Sequence, residues 1–175
     1  MTQPDKVIKY CPKCGSHRFL FEGERSFKCQ ECFFHFFINS SAAVAGVIMN
    51  AKGEMLLTIR AFEPRKGCFD LPGGFVDPME SAEEALIREI KEELNLDIEQ
   101  MVYLVSFPNE YIFSDFSVYT TDLGFLCQVS DFSKIHVKDD IIGYEFVKPE
   151  AIDFEKISSL SIANIIKFVL QRPGS

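Results

Sequence analysis

The chain has 175 residues, of which 47% are hydrophobic, and this is enough for one domain with a small appendage. Its formal net charge of −8 argues against binding to duplex nucleic acid, which requires a basic surface. Divalent cations can still bridge acidic groups to an anionic substrate. No apolar run is long enough to span a membrane, and the N-terminus lacks the pattern of a secretion signal. We therefore expect a cytoplasmic protein that does not associate with membranes.

Residues 1–40 are predicted to form a separate small domain, because they show little helical pattern and contain two cysteine pairs. Cys11 and Cys14 form one pair, and Cys29 and Cys32 form the other. The spacing lets both sulfurs of one turn reach the same ion, and two such turns supply the four thiolates that a structural Zn²⁺ prefers. A hairpin is expected between the pairs. A complete Cys₄ shell leaves no open position for catalysis, so the predicted zinc site is structural.

The segments after residue 40 alternate between strand and helix patterns. The run 42–49 and the segment 54–60 are predicted to form a β-hairpin around a turn at 50–53. The clearest helix is 81–94. Three further strands and a final helix, which Pro173-Gly174 ends, are predicted at 101–107, 116–130, 141–147 and 159–171.

The predicted helix at 81–94 has clear start and stop signals. Ser81 and Glu84 have the spacing of a capping box. Asn95 can end the helix, because Asn tolerates the left-handed conformation of a C-terminal stop. Apolar residues recur at helical spacing and predict one buried face: Ala82, Ala85, Leu86, Ile90 and Leu94.

Glu89, Glu92 and Glu93 fall within an arc of about 100° on this helix. Like charges so close together repel, so the cluster is either a solvated surface or a site for a hard cation. A solvated surface is the simpler interpretation of a Glu-rich helix in general. Here Gly73 and Gly74 precede the helix, and their bare backbone can approach a phosphate or a metal ion closely. This favours a site for Mg²⁺ or Mn²⁺, which prefer oxygen ligands.

The segment that begins at Gly74 resembles the Nudix box. Asn95 stands where the family has glycine, and Phe69 stands upstream where the family often has Trp. The positions that match the box are Gly74, Glu80, Arg88, Glu89, Ile90, Glu92, Glu93 and Leu96. The resemblance implies an α/β fold, a Nudix α/β/α sandwich with a mixed sheet over residues 41–175, preceded by the zinc ribbon of residues 1–40.

The resemblance also implies metal-dependent hydrolysis of a nucleoside diphosphate linked to another moiety. Glu89, Glu92 and Glu93, with the carbonyl of Gly74, would hold the Mg²⁺ or Mn²⁺ ions. The implied catalytic residues are Glu80, Arg88, Glu89, Glu92, Glu93 and Asp140. The expected substrate-binding residues are Phe69, Gly73, Gly74, Tyr111 and Phe113.

A zinc ribbon followed directly by a Nudix domain resembles the bacterial NADH pyrophosphatases, whose members are often dimers. That branch carries a signature after the box, of which the segment 106–113 retains Ser106 and Pro108. Tyr111 and Phe113 in this segment either stack on a nucleobase or belong to the core. We therefore expect ADP-ribose or an NAD(H)-like dinucleotide as substrate, without strict preference for NADH, and a homodimer.

Three other functions are consistent with parts of this pattern. A Nudix domain can bind a nucleotide as a sensor without hydrolysis, but the complete carboxylate set argues against this. The isomerase branch of the family usually has a degenerate box, and the box here is intact. A zinc-ribbon adaptor with a merely structural second domain is the third. Metal-dependent release of a phosphomonoester distinguishes the enzyme from all three.

Overall fold

The structure is a computed structural model that describes residues 2–23, 25–138 and 140–172. Within these residues, no helix combines the length and the apolar character needed to cross a membrane. The predicted stop signal Pro173-Gly174 lies outside the described residues.

The chain divides into two compact units. The first consists of Met1–Ser40 together with Glu110–Tyr119. The second consists of Ser41–Asn109 and Thr120–Ser175. The segment Glu110–Tyr119 falls within the second domain predicted from sequence, but its contacts group it with the N-terminal residues.

The N-terminal part of the first unit is a short helix followed by a three-stranded antiparallel sheet: α1 (Pro4–Val7), β1 (Phe19–Phe21), β2 (Ser26–Cys29) and β3 (His35–Phe37). Strands β1 and β2 form the hairpin expected between the cysteine pairs, with Phe19 opposite Cys29. Phe19 and Phe27 are buried, and their rings stack with centroids 5.2 Å apart. Helix α1 and strand β3 were not predicted, because elements this short show no measurable periodicity.

The rest of the first unit is the tip of a long β-hairpin. Ser114 and Asp115 both have positive φ, 49° and 58°, which is the geometry of a two-residue type I′ turn. The backbone N–H of Ser117 donates to the carbonyl oxygen of Thr2 at 2.8 Å. The tip is therefore hydrogen-bonded to the N-terminal segment of the same unit.

The remaining strands and the two long helices are β4 (Ser41–Ile48), β5 (Met55–Arg60), β6 (Phe69–Asp70), α2 (Ala82–Leu94), β7 (Gln100–Phe113), β8 (Phe116–Gln128), β9 (Ile141–Val147) and α3 (Leu160–Leu170). One sheet has the order β4-β8-β7, in which β4 and β8 are parallel. The other has the order β6-β5-β9 with antiparallel pairs. Short 3₁₀ turns lie at Pro149–Ala151 and Phe154–Lys156.

Strand β4 contributes to the cores on both sides of the sheet. Val44 and Ile48 are buried in the core that includes the apolar face of α2. Ala45 and Val47 are buried in the core that includes α3. Successive side chains of a strand point to opposite faces, so β4 separates the two helices. This confirms the predicted α/β/α sandwich with a mixed sheet.

The hairpin predicted from 42 to 60 is wrong beyond its turn. The side chain of Asn50 organises the turn by accepting from the backbone N–H groups of Lys52 and Glu54. Beyond the bridge between Met49 and Met55, however, β4 pairs with β8 whereas β5 pairs with β6 and β9. Both strands are buried on both faces, and a continuous apolar run does not indicate which strand is its neighbour.

Strand β7 extends well beyond the predicted strand 101–107. It includes all of the segment 106–113, in which we expected substrate-specifying side chains. Ser106 and Pro108 therefore lie in regular strand structure.

Candidate functional site

Helix α2 begins with the capping box that the sequence predicts. Ser81 Oγ accepts from the backbone N–H of Glu84 at 3.2 Å, and Glu84 Oε2 accepts from the backbone N–H of Ser81 at 2.9 Å. Glu80 directly precedes this cap, and its Oε2 accepts from the backbone N–H of Asp77 at 3.0 Å. The start of the helix and the loop before it thus determine together where the Glu80 carboxylate lies.

Arg88 lies at the centre of a network of carboxylates. It binds both oxygens of Glu80, through Nε and Nη2, at 2.9 Å each. Its Nη1 donates to Glu89 at 2.7 Å and to Glu92 at 3.3 Å, and Nη2 also donates to the carbonyl of Phe75 at 3.0 Å. Hydrogen bonding to Arg88 lowers the pKa of Glu80 to about 2. The same carboxylates raise the pKa of Arg88, so the guanidinium stays charged.

Glu93 projects from the same helix into a buried position and is only 6% exposed. Its Oε2 accepts from the backbone N–H of Gly73 at 3.1 Å. Burial, together with the nearby charges of Glu89, Asp70 and Asp140, raises the pKa of Glu93 to about 8 despite the hydrogen bond from Gly73. A positive charge close by would favour the ionised form of this carboxyl at neutral pH.

Gly73 and Gly74 bring backbone into direct contact with the site. A Cβ on Gly73 would lie 2.0 Å from the carbonyl oxygen of Val44, and the φ of Gly73 is +148°. A Cβ on Gly74 would lie 2.4 Å from Glu89 Oε1. Position 73 therefore requires glycine, because the β4 backbone is too close, whereas a Cβ at position 74 would displace the Glu89 carboxylate. The Gly74 carbonyl accepts from the backbone N–H of Val44 at 2.8 Å.

Asp140 lies at the entry to β9, close to the helix carboxylates. Burial and the charges of Glu92 and Asp140 raise the pKa of Glu89 above its ordinary value. Hydrogen bonding to Arg88 acts in the opposite direction but does not cancel them. Asp140 likewise raises the pKa of Glu93. The side chain of Asp140 is exposed, while its backbone carbonyl accepts from the N–H of Ala61 at 2.8 Å.

The box carboxylates are brought together without forming a compact ligand set. Glu89 and Glu92 are turned towards Arg88, whereas Glu93 is turned towards Gly73. Within the described parts of the chain, the group whose ligand atoms all lie within 4.8 Å of one another consists of the four cysteines. Even so, the carboxylates offer the hard oxygen ligands that Mg²⁺ and Mn²⁺ prefer, and their excess negative charge suits a cation.

Sequence reasoning missed Asp70 and Arg60. The Asp70 carboxylate accepts from Arg60 Nη1 and from the backbone N–H of Leu71, both at 2.9 Å. Burial raises the pKa of Asp70, and the charge of Asp70 in turn raises the pKa of Glu93. The sequence did offer one signal for Asp70, which is an acidic residue in an apolar strand just before the glycine turn. Its partner Arg60 comes from β5, however, and the pairing is not visible locally.

The predicted substrate-binding aromatics are divided between the two units. Phe69 is half-buried on β6 and packs against the core that includes α3. Tyr111 and Phe113 belong to the first unit, whereas the glycine turn and the box carboxylates belong to the second. Phe113 is 57% exposed. A role for Tyr111 and Phe113 in stacking on a nucleobase stays a prediction.

The four cysteines of the first unit converge on one point. The sulfurs of Cys11 and Cys32 are 3.7 Å apart, and those of Cys14 and Cys29 are 3.6 Å apart. A tetrahedral site with Zn–S bonds of about 2.3 Å has sulfurs about 3.8 Å apart. The cluster therefore has the dimensions of a zinc-ribbon site.

The two cysteine turns have the same backbone geometry. In the first, the N–H of Cys11 donates to the carbonyl of Ser16, and in the second the N–H of Cys29 donates to the carbonyl of Phe34. Phe33 takes the positive φ that glycine takes in the first turn. The backbone N–H of Cys32 lowers the pKa of Cys29 to about 6, whereas the neighbouring thiols raise the pKa of Cys14 despite the backbone hydrogen bond from Ser16.

The second unit is thus an α/β/α sandwich domain in which a glycine turn leads into a carboxylate-bearing helix. The model of the NUDIX domain matches residues 39–165, and the chain therefore belongs to the Nudix family.

Curated relatives match over part of their length. The NAD-capped RNA hydrolase NudC of Pseudomonas fluorescens is 31% identical over 98 residues, which are 56% of this chain and 35% of that protein. The ADP-ribose pyrophosphatase of Methanocaldococcus jannaschii is 46% identical over 63 residues, which are 36% of this chain and 37% of that protein. In both cases the match spans little more than a third of the relative.

Solved structures share the fold at low sequence identity. The NUDIX hydrolase from Nitrosomonas europaea has a TM-score of 0.66 at 20% identity, covering 96% of this chain and 94% of that one. The NUDIX domain of Shewanella oneidensis NrtR, solved with ADP ribose, has a TM-score of 0.63 at 16% identity, covering 78% of this chain and 90% of that one.

Proposed function

We propose that this chain is a divalent-cation-dependent pyrophosphohydrolase that cleaves the diphosphate of a nucleoside diphosphate linked to another moiety. The observation that carries the proposal is the Arg88 network. One guanidinium holds Glu80, Glu89 and Glu92 on the helix that also presents the buried Glu93. A solvated surface helix would leave these side chains free, whereas here they are held in place beside a glycine turn.

In this proposal, Glu89, Glu92 and Glu93 hold Mg²⁺ or Mn²⁺. The Gly74 carbonyl is a further candidate ligand, because a carbonyl has two lone pairs and its bond to Val44 uses one. The high pKa of Glu93 fits this assignment, since a bound cation would supply the positive charge that the buried carboxylate lacks.

The chemistry that such cations supply is neutralisation of the charge that develops on the phosphate oxygens and activation of the attacking water. The protein's own groups have positioning roles. Glu80 fixes the guanidinium of Arg88 through two hydrogen bonds, and Arg88 in turn orients Glu89 and Glu92. Gly73 orients Glu93 through its N–H. We assign Asp140 to the same site because its charge acts on both Glu89 and Glu93.

We propose ADP-ribose or an NAD(H)-like dinucleotide as the substrate, including a dinucleotide carried at the end of an RNA chain. The support comes from the relatives named as ADP-ribose pyrophosphatase and NAD-capped RNA hydrolase. The altered segment 106–113 supports the absence of a strong preference for NADH over ADP-ribose.

We also propose one structural Zn²⁺ held by Cys11, Cys14, Cys29 and Cys32, because their sulfurs are spaced for a closed tetrahedral shell. Reduced thiols in this arrangement support a cytoplasmic location.

A hydrolysis screen with Mg²⁺ or Mn²⁺ over ADP-ribose, NADH, nucleotide sugars and nucleoside triphosphates tests the function. We expect phosphomonoester release from the linked diphosphates, complete loss with a chelator, and loss of most activity in Glu93→Gln. The matched control is Glu83→Gln, an exposed glutamate in the first turn of the same helix. No metal-dependent release, as expected of a nucleotide sensor, or equal activity in Glu93→Gln, would overturn the proposal.

The same screen tests the substrate class. A ratio of kcat/KM that favours NADH over ADP-ribose by more than about two orders of magnitude exceeds what one modest pocket contact supplies. That result would contradict the inference from the segment 106–113. Preference for a nucleoside triphosphate would contradict the substrate class as a whole.

A further inference from the structure

Asp140 is reached through a segment that lies alongside helix α2. We call residues 134–138 the approach segment; they belong to no helix or strand. Ile135 and Val137 pack against the core that includes the apolar face of α2, whereas His136 between them is exposed. The approach segment therefore follows the helix with alternate side chains turned towards the core.

The backbone of the approach segment is hydrogen-bonded to the C-terminal end of α2. The N–H of Lys138 donates to the carbonyl of Glu93, and the N–H of His136 donates to the carbonyl of Leu94, both at 3.0 Å. These carbonyls belong to the last turn of the helix, where no following turn supplies donors. The segment is thus in register with Glu93, the residue whose carboxylate is buried in the site.

A side chain continues this series of hydrogen bonds by one more step. Asn95 Nδ2 donates to the carbonyl of Lys134 at 3.1 Å. Asn95 also ends α2 in the left-handed conformation, with φ of 55°, which glycine adopts without steric cost. The Nudix box has glycine here, and a glycine would end the helix without making this bond. The amide is therefore additional to what the end of the helix requires.

We propose that Asn95 is a positioning residue, which holds the approach segment in register with α2 and so sets where Asp140 lies relative to the helix carboxylates. The inference rests on the proposed function, in which Asp140 belongs to the site. The far end of the connection is held separately, because the N–H of Ala61 donates to the carbonyl of Asp140 at 2.8 Å. The charge of Asp140 raises the pKa of both Glu89 and Glu93, which agrees with a carboxylate held close to them.

Asn95→Gly tests the proposal, because it keeps the backbone conformation and removes the donor. We expect kcat for ADP-ribose with Mg²⁺ to fall about tenfold, as when a group that orients metal ligands is lost, with KM and Tm close to those of the wild type. Asn95→Asp has a similar size but cannot donate to a carbonyl, so it should lose as much. The matched control is Asn39→Gly, since Asn39 Nδ2 donates to the carbonyl of Phe37 in the first unit.

A double-mutant cycle tests whether Asn95 acts through Asp140. In the Asp140→Asn background, Asn95→Gly should lower kcat little further, because the group that it positions is already lost. Fully additive losses would overturn the proposal. The same holds for normal kcat in Asn95→Gly, Asn95→Asp or Asp140→Asn, and for an equal loss in Asn39→Gly.

Amide hydrogen exchange followed by NMR measures the tie independently of activity. The N–H groups of His136 and Lys138 should exchange about fivefold faster in Asn95→Gly, the effect of losing one hydrogen bond, while that of Ala85 at the start of α2 should not change. Unchanged exchange at both amides would refute the positioning role alone. A wild type that hydrolyses no substrate would refute the proposed function, and faster exchange in the variant would then still establish the tie.

Discussion

At the scale of single residues, few groups in the site balance the negative charge of its carboxylates. Arg88 is hydrogen-bonded to Glu80, Glu89 and Glu92, while Glu93 has the N–H of Gly73. The Arg88 guanidinium is planar and presents several donors at fixed angles, so it can bind separate carboxylates at once. A lysine at this position would carry the same charge without this geometry.

We therefore expect Arg88→Lys to lower kcat/KM by about 10- to 100-fold, the usual effect of losing a group that orients metal ligands. Steady-state kinetics at several Mg²⁺ concentrations measures this. The control is Lys91→Ala, which removes an exposed ion pair with Asp97 on the same helix and should have little effect. Near-normal kcat/KM in Arg88→Lys would show that Arg88 has no orienting role.

Gly74→Ala tests whether the space beside Glu89 is needed. The added Cβ would lie 2.4 Å from Glu89 Oε1, so the carboxylate must move. Because the displaced group is the flexible end of a side chain, we expect a small change in the free energy of unfolding but a loss of most activity. Gly143→Ala is the control, since its Cβ would meet only Ile59 Cδ1, at 3.4 Å. Full activity in Gly74→Ala would show that the position of Glu89 is not critical.

At the scale of elements, helix α2 is defined by local signals at both ends. The capping box at Ser81 begins it, and Asn95 ends it in the left-handed conformation with φ of 55° and ψ of 31°. Asn95 thus takes the backbone conformation for which glycine is favoured, and its side chain donates to the carbonyl of Lys134 at 3.1 Å. The departure from the box pattern at this position leaves the end of the helix intact.

Ser81→Ala removes the cap and should lower the free energy of unfolding by about 1 kcal/mol. Because Glu80 directly precedes the cap, activity should fall as well. Urea unfolding followed by circular dichroism gives the first quantity, and kinetics in the absence of denaturant gives the second. Ser81→Asp keeps a capping oxygen and should restore stability. Equal destabilisation by Asp and Ala would mean that the loop, and not the cap, stabilises this end of the helix.

At the scale of the whole molecule, the two units have separate hydrophobic cores. The core of the first unit contains Cys11, Phe19, Phe27 and Cys29. A core this small cannot offset the entropy of ordering the chain around it, and a bound metal ion would supply the difference. The second unit has two larger cores, on either side of β4.

Loss of zinc should therefore unfold the ribbon and leave the second unit folded. In the double variant Cys14→Ser and Cys29→Ser, we expect no bound zinc, rapid proteolysis within residues 1–40, and retention of the main thermal transition. Elemental analysis, limited proteolysis and calorimetry measure these. Cys68→Ser is the control, because Cys68 lies outside the cluster. Loss of the main transition along with the zinc would show that the second unit depends on the ribbon for stability.

The sequence by itself determined the features that depend on neighbours along the chain. The capping box and the cysteine turns each form within a few residues, and the apolar face of α2 repeats at helical period. Local patterns are sufficient for these, because the interacting groups are close in sequence before the chain folds. The family resemblance added the sandwich fold, which the structure confirms.

Only the tertiary structure decided the contacts between distant segments. The parallel pairing of β4 with β8, the pairing of Asp70 with Arg60, and the burial of Glu93 all join separate elements. The same holds for the tip Glu110–Tyr119, whose strands look regular in sequence yet whose contacts group it with the first unit. A buried strand does not encode its partner, and a carboxylate's pKa depends on the charges and desolvation that folding brings to it.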